Sequence, residues 1–429
     1  MGDRFTDSKG RPVVAITGMG LVTSLGWGKR ENWIALSEGR SGITAIKRFP
    51  TEGLKTTIAG MICDEQRDNQ PYSAFDLSLS IAQAAAAEAV EEARIGKPGR
   101  FPGPLIVATP PSELEWPHLK RLYEAIEKSE ASGYDRLLLA ARSGEFGDLA
   151  RHTRFAALAD ALQNRFGTQG EPLSICTACA SGASTIQFAL EAIRRGDTEA
   201  ALCIGTDATV HPEGLVRFSL LSALSTRNDP PHAASRPFTK SRDGFVIAEG
   251  AGALVLESYQ HAVARGAEPI GFVRGAGEKA DCYHRTRSQP DGAAIVGAIS
   301  KALEDADVDP EEIDHINAHG TSTPENDRME YVSLSAVFGD SLSSIPITSN
   351  KSQVGHTLIA AGAVEAVIAL MSIRNALVPP TINYLDPDPE LPFDVVSNIA
   401  RPGPINTVLS NSFGFGGQNV CLVLAGEPN

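Results

Sequence analysis

The chain has 429 residues, 42% of them hydrophobic and 6% aromatic, with a formal charge of −14 at pH 7. That length buries a large core and accommodates two to three domains or one duplicated domain. The acidic balance, with no long basic run to offset it, excludes nucleic acid as an expected partner. The six cysteines are scattered, mostly in apolar runs, as suits reduced thiols in the cytoplasm better than a disulfide framework. Residues 1–11 hold Asp3 and Asp7 and no hydrophobic region, so no secretory or organellar leader is expected. The short myristoylation pattern at 1–6 is too loose to change that. The most apolar segments, 80–90 and 357–373, are Ala-rich and carry Glu88 and Glu365, which predicts no membrane span.

In chain order, the pattern predicts a strand at 11–18, a short helix at 30–38, an Ala-faced helix at 75–94 and a strand at 105–108. The polar stretch 109–167 is read as helical, most clearly at 121–129 and 151–166. A strand at 173–176 leads into a helix at 183–195, and strands follow at 200–205 and 250–256. The second part repeats the theme: strands at 270–275, 313–318, 345–348, 408–410 and 420–424, with helices at 291–306, 327–338 and 357–375. Short apolar strands alternating with helices predict parallel α/β layers. Two similar α/β parts predict a duplication with a site between them.

The stretch Ser174 to Gly182 turns a strand over small residues into a helix and places Cys179 at the helix start. Backbone N–H groups and the helix dipole there favour a thiolate, a nucleophile beside a ready oxyanion site. His319 ends a strand, at the carboxyl edge where α/β sites form. His356 precedes a long apolar helix, whose dipole favours the neutral imidazole. The glycine cluster Asn411 to Asn419 lets backbone approach a ligand. Taken singly, each has a plainer reading: a buried Cys is usually a small hydrophobe, a lone His is usually core or surface, and Gly-Phe-Gly-Gly is a poor phosphate cradle. Cys176 and Cys179 are spaced as a redox or zinc half-site, but no second such pair exists to complete it.

Together the motifs at 177–182, 235–238, 242–246, 249–252, 317–324, 351–356 and 411–417 come in one order that resembles the elongating β-ketoacyl-acyl-carrier-protein synthases. The similarity runs from about Val13 to Leu424 and is weak at 109–166. The resemblance implies an α/β thiolase-like fold, two βαβαβ halves forming a five-layered αβαβα core, divided at 12–262 and 263–426. It implies a 3-oxoacyl-carrier synthase, an acyltransferase that extends a fatty acyl chain by two carbons through decarboxylative condensation with a malonyl carrier. Cys179 would carry the acyl group, His319 and His356 would donate to the enolate oxygen, and the N–H groups of Cys179 and Phe415 would form the oxyanion hole. Phe415 would gate the malonyl group. Lys351 would orient the site with Asp327 and Glu330 as charge partners, and Thr321 and Thr323 would hold the pantetheine arm. Asn317, Glu365, Ser410 and Asn411 match the positions of a structural monovalent cation; no other cofactor is implied. The partners would be an acyl carrier protein and a second copy of the chain.

Initiating and plant-type relatives resemble Cys-His-Asn sites, and degradative thiolases use a second cysteine. Cys421 lies in an apolar strand pattern and reads as core, so the Cys-His-His set favours elongation. The competing readings are a polyketide-type ketosynthase, a non-condensing partner subunit, which would lack the cysteine, and a cysteine acyl hydrolase, in which the second His has no task. Three departures bear on substrate: the atypical loop from Ala108 to Trp116, the Gln353-Val354 and Gln418 neighbours of the lysine and glycine motifs, and a thinned basic patch. In that patch 64–70 carries little positive charge and Ser222 stands where relatives often have Arg, with Arg217 and Arg227 as candidates to compensate.

Overall fold

The computed structural model describes residues 4–63, 72–125 and 132–428. The 64–70 patch, the end of the expected helix 121–129 and residues 1–3 lie outside them. Ten strands build the core: β1 (Val14–Thr23), β2 (Leu105–Ala108), β3 (Leu173–Ile175), β4 (Ala200–Asp207) and β5 (Gly250–Ser258), then β6 (Gly271–Ala280), β7 (His315–Asn317), β8 (Pro346–Thr348), β9 (Thr407–Phe413) and β10 (Gln418–Ala425). The first five pair in the order β1-β5-β4-β2-β3 and the second five in the order β6-β10-β9-β7-β8. In each set the second, third and fourth strands are parallel, and the fifth runs antiparallel to both its neighbours. One topology used twice is the duplication that the sequence rhythm predicts. A short antiparallel pairing of Val14–Ile16 with Gly271–Val273 joins the two sets.

Seven helices matter for the site: α1 (Ala74–Ala93), α2 (Ala157–Phe166), α3 (Ser181–Arg194), α4 (Pro212–Leu220), α5 (Ala293–Ala306), α6 (Pro324–Phe338) and α7 (Ala361–Asn375). α1 and α2 cover the outer face of the first sheet and α5 and α6 that of the second, while α3 and α7 pack on each other between the sheets. This is the expected five-layer αβαβα arrangement. α7, at the centre of the stack, has no wet face and is buried from Ala361 to Ser372. Leu358–Asn375 is in fact long and apolar enough to cross a membrane by length and composition, contrary to the sequence expectation, but 83% of that window is buried inside the fold.

The starts of α3 and α7 touch backbone to backbone. A Cβ on Gly182 would lie 2.5 Å from Ala363 N, and one on Gly362 would lie 2.4 Å from Ala183 N. The pattern of long apolar runs located most elements within a few residues. It failed where the chain breaks helices locally. The expected helix 151–166 is interrupted by extended Arg154, and the 121–129 region holds the end of a helix Trp116–Glu124. α4 was not expected; Pro212 at its first position and the His211 ring, which accepts from Gly214 N, start it.

Candidate active site

β3 ends at Ile175, and the chain reaches α3 through a strained turn. Ala178 holds φ 49°, a left-handed conformation that a residue with a Cβ rarely adopts. Ser181 Oγ fastens the turn, accepting from Thr177 N at 2.7 Å and donating to Ala178 O at 2.5 Å. Cys179, next in line, is presented half-buried into a cavity of about 520 Å³. Burial pushes its thiol up to about 12, although the Lys351 charge and the backbone N–H of Phe415, which donates to the sulfur, pull it down. The resting group is therefore a thiol. Loss of water around the sulfur thus works against the donors that the helix start supplies.

His319 follows β7 and His356 follows β8. One atom each from the two imidazoles and the Cys179 sulfur lie within 4.8 Å of one another. The rings meet edge to face, 5.4 Å apart. Both pKa values lie well below the ordinary histidine value, first because both rings are buried and next because Lys351 is charged. Neutral imidazole was expected at His356, but burial rather than a helix dipole is its main cause. Leu358 N donates to His356 Nδ1 at 3.3 Å, and Lys351 Nζ stands 3.5 Å from His319 Nδ1. With Nδ1 accepting in both rings, each proton sits on Nε2. Two Nε2–H donors thus accompany one thiol. A zinc ligand would need the reverse, a bare Nε2 and a protonated Nδ1 facing an acceptor, so these surroundings oppose metal binding by the trio. Cys176 and Cys179 are free thiols, and Cys421 is fully buried core in β10.

The charge partners expected for Lys351 need correcting. Its ammonium pairs with Glu365 on α7 and donates to His319 O at 2.6 Å. Asp327 and Glu330 instead hold the histidine loop by its backbone. Glu330 accepts from His319 N and Gly320 N, both at 2.8 Å, and Asp327 accepts from Ser322 N at 3.2 Å and Phe238 N at 2.9 Å. Carboxylates one turn apart at the start of α6 are well placed for such N–H groups, and Arg242 at 3.7 Å supplies the cation for Asp327. Burial raises Glu330 to about 6 and Glu365 to about 7.

Asn317, Glu365, Ser410 and Asn411 are all at most 2% exposed. Asn317 Oδ1, Asn411 Oδ1 and Glu365 Oε2 have no hydrogen-bond donor among the described residues. Buried, unpartnered oxygens are the donor set a hard cation takes, so these residues fit such an ion. Thr321 and Thr323 line the cavity with their hydroxyls 2.8 Å apart, and Phe415 lines it beside the sulfur.

Sequence reasoning gave no role to several residues that the fold brings here. Phe245 stacks edge-on against His356 at 5.1 Å, and Ser235 Oγ donates to Lys351 O at 2.8 Å. Both lie in motifs quoted above, which was the available signal. Gln353 donates to Leu36 O at 3.0 Å and Arg40 O at 3.2 Å, and Gln418 to Glu278, so both atypical glutamines tie neighbouring segments together.

The family models described as "Beta-ketoacyl synthase, N-terminal domain" and "C-terminal domain" match residues 11–104 with 124–262, and 270–385. The chain belongs to the β-ketoacyl synthase family. The unmatched 105–123 falls on the atypical loop. A 3-oxoacyl-[acyl-carrier-protein] synthase 2 of Coxiella burnetii is 36% identical over 420 residues, 96% of this chain and 98% of that one. Among solved structures, the ketosynthase of a type II polyketide synthase, in complex with its acyl-carrier protein and bound to the hexaketide, superposes with TM-score 0.83 at 31% identity, covering 97% of this chain and 99% of that one. A β-ketoacyl synthase of Burkholderia phymatum gives 0.81 at 32%, covering 96% and 99%. This family membership makes the chain a condensing acyltransferase of thiolase-like fold.

Proposed function

We propose that the protein is an elongating 3-oxoacyl-[acyl-carrier-protein] synthase. The observation that carries this is the meeting of one thiol with two imidazoles, both protonated on Nε2. In the first half-reaction Cys179 attacks an acyl-carrier thioester. The new bond is the Cys179 thioester, the old carrier–sulfur bond breaks, and the thiol proton leaves with the carrier sulfur. The N–H groups of Cys179 and Phe415 stabilise the tetrahedral oxyanion. In the second, a malonyl carrier loses carbon dioxide. The Nε2–H groups of His319 and His356 hold the enolate oxygen without protonating it, because both rings are neutral. The enolate carbon attacks the acyl thioester, the carbon–sulfur bond to Cys179 breaks, and a carrier-bound chain two carbons longer is released with the Cys179 thiolate, which takes a proton from water to return to the thiol.

Lys351 orients His319 through its carbonyl, Phe415 gates the cavity, and Thr321 and Thr323 hold the pantetheine amides. A monovalent cation among Asn317, Glu365, Ser410 and Asn411 would fix β7 and β9 and takes no part in bond-making. The working form is a cytoplasmic homodimer; support comes from six free cysteines and from exposed apolar residues at the edge of the first sheet, Leu173 on β3 and Phe188 on α3. The atypical 109–166 segment supports specialisation for long or unusual chains. Intact-mass spectrometry with a ladder of acyl-carrier thioesters, then malonyl carrier, tests the reading. The expected result is a Cys179 adduct that discharges as a 3-oxoacyl product, and no adduct from any rung would overturn it. A polyketide-type ketosynthase is the second reading, favoured by the similarity to a hexaketide-bound ketosynthase; repeated extension without reduction between rounds would select it.

A further inference from the structure

The cavity that holds Cys179 opens past Thr321 and Thr323 to a rim formed partly by residues 284–288 and the start of α6. Arg285 and Arg287 on that loop and Arg328 on α6 all line the cavity, all are exposed, and none has a side-chain hydrogen bond or ion pair among the described residues. Their loop is pre-formed. The Asp281 carboxylate closes it by accepting from Tyr283 N at 2.8 Å and Gln289 N at 2.7 Å. Arg285 O accepts from Gly416 N at 2.8 Å, which fastens the loop beside Phe415. His284 Nδ1 accepts from Thr286 N at 3.1 Å. The lining acids Asp281 and Asp243 are occupied by backbone and hydroxyl donors, which leaves Glu325 as the opposing carboxylate.

Of the other basic candidates among the described residues, Arg227 does not line the cavity. Arg217 is tied to Glu113 at 2.5 Å, and the rim carries Ser222 in place of a cation. On a chain of charge −14, an acidic or phosphorylated partner is repelled except where positive charge is local and free. We infer that Arg285, Arg287 and Arg328 form an anion site at the cavity mouth that holds the phosphodiester at the head of the pantetheine arm, while the thioester end of the same arm reaches Cys179. Guanidinium groups suit this task because their planar N–H forks match phosphate oxygens. This rests on the synthase reading above and names the residues that select its phosphorylated, carrier-borne substrates.

The test compares Cys179 acylation by three donors of the same acyl chain: the carrier thioester, the free phosphopantetheine thioester and the dephosphorylated pantetheine thioester. In wild type the phosphorylated donors should react faster, with an advantage that shrinks as salt rises. Arg285→Ala/Arg287→Ala and Arg328→Ala should lower kcat/KM for the phosphorylated donors by roughly 10- to 100-fold and for the pantetheine donor by less than about twofold. Glu325→Gln should raise the phosphorylated rates modestly. An equal loss with all three donors would mean a structural role, and no loss with the phosphorylated pair would mean the arginines bind nothing there; either overturns the site. Failure of wild type to be acylated by any donor, the pantetheine thioester included, would sink the synthase reading itself.

Discussion

In the N-terminal half the third strand, β3, runs into the central helix α3 through Ala178 and Cys179. In the C-terminal half the third strand, β8, runs toward the central helix α7 through Gly355 and His356. The nucleophile and one of the two donors thus occupy matching places in two copies of one topology. The second strands differ more: β7 is followed by His319, whereas β2 is followed by Thr109 and a Pro-rich loop. The fold delivers equivalent positions at the carboxyl ends of parallel strands, and side-chain identity assigns the chemistry. The first half enters its helix directly, so its group is held by a strained turn. The second interposes Lys351–Val354 and a turn at Leu358–Ala360, and that detour seats the lysine that touches both His319 and α7.

The division of labour breaks most clearly by substitution. Cys179→Ala should abolish the acyl adduct altogether, whereas His356→Ala or His319→Ala should leave acylation and lower condensation by roughly 10²- to 10⁴-fold. Loss of the adduct in either histidine variant would end the assignment. The protonated resting thiol gives the next largest effect. Alkylation of Cys179 by a neutral reagent should accelerate about tenfold per pH unit from pH 6 to 9, because the thiolate fraction grows that way below a pKa near 12. A plateau near neutrality would restore the helix-start thiolate.

Glu365→Gln strands the Lys351 charge in the core and should cost about 3–5 kcal/mol in urea unfolding. Adding Lys351→Met should recover part of that, and a loss confined to exposed-pair size would show that the ion pair is not the brace. Gly182→Ala and Gly362→Ala should each cost about 1–3 kcal/mol by forcing α3 and α7 apart. Their sum should exceed the double variant, since either one opens the same crossing. Smallest, Gln353→Ala should cost about 1–2 kcal/mol through the carbonyls of Leu36 and Arg40; an unchanged unfolding midpoint would remove that tie.

The strand and helix rhythm was legible because buried strands leave local marks; Cys179, His319 and His356 each stood out at a strand-to-loop junction, but only the resemblance of the ordered motifs joined them into one site. What escaped was set by three-dimensional neighbours. The partner of Lys351 depended on how α7 lies across the turn at 355–360, so Glu365 could not be told from Asp327 or Glu330 by position alone. The burial of the thiol escaped because a helix start is visible in sequence, while the fold that brings Phe415 beside the sulfur is not. α4 was missed because Pro212 and Gly214 look like breakers, although proline suits a first helical position.

The contact between α3 and α7 is reciprocal: Gly182 meets Ala363, and Gly362 meets Ala183. Residue i on one half touches j on the other while j's counterpart touches i's, the relation found across a two-fold axis between identical subunits. The molecule therefore carries within one polypeptide the seam of a symmetric pair. Because both sides of the seam lie on one chain, each can carry its own residue, a cysteine on one side and a histidine on the other, a division that two chains encoded by a single sequence could never achieve.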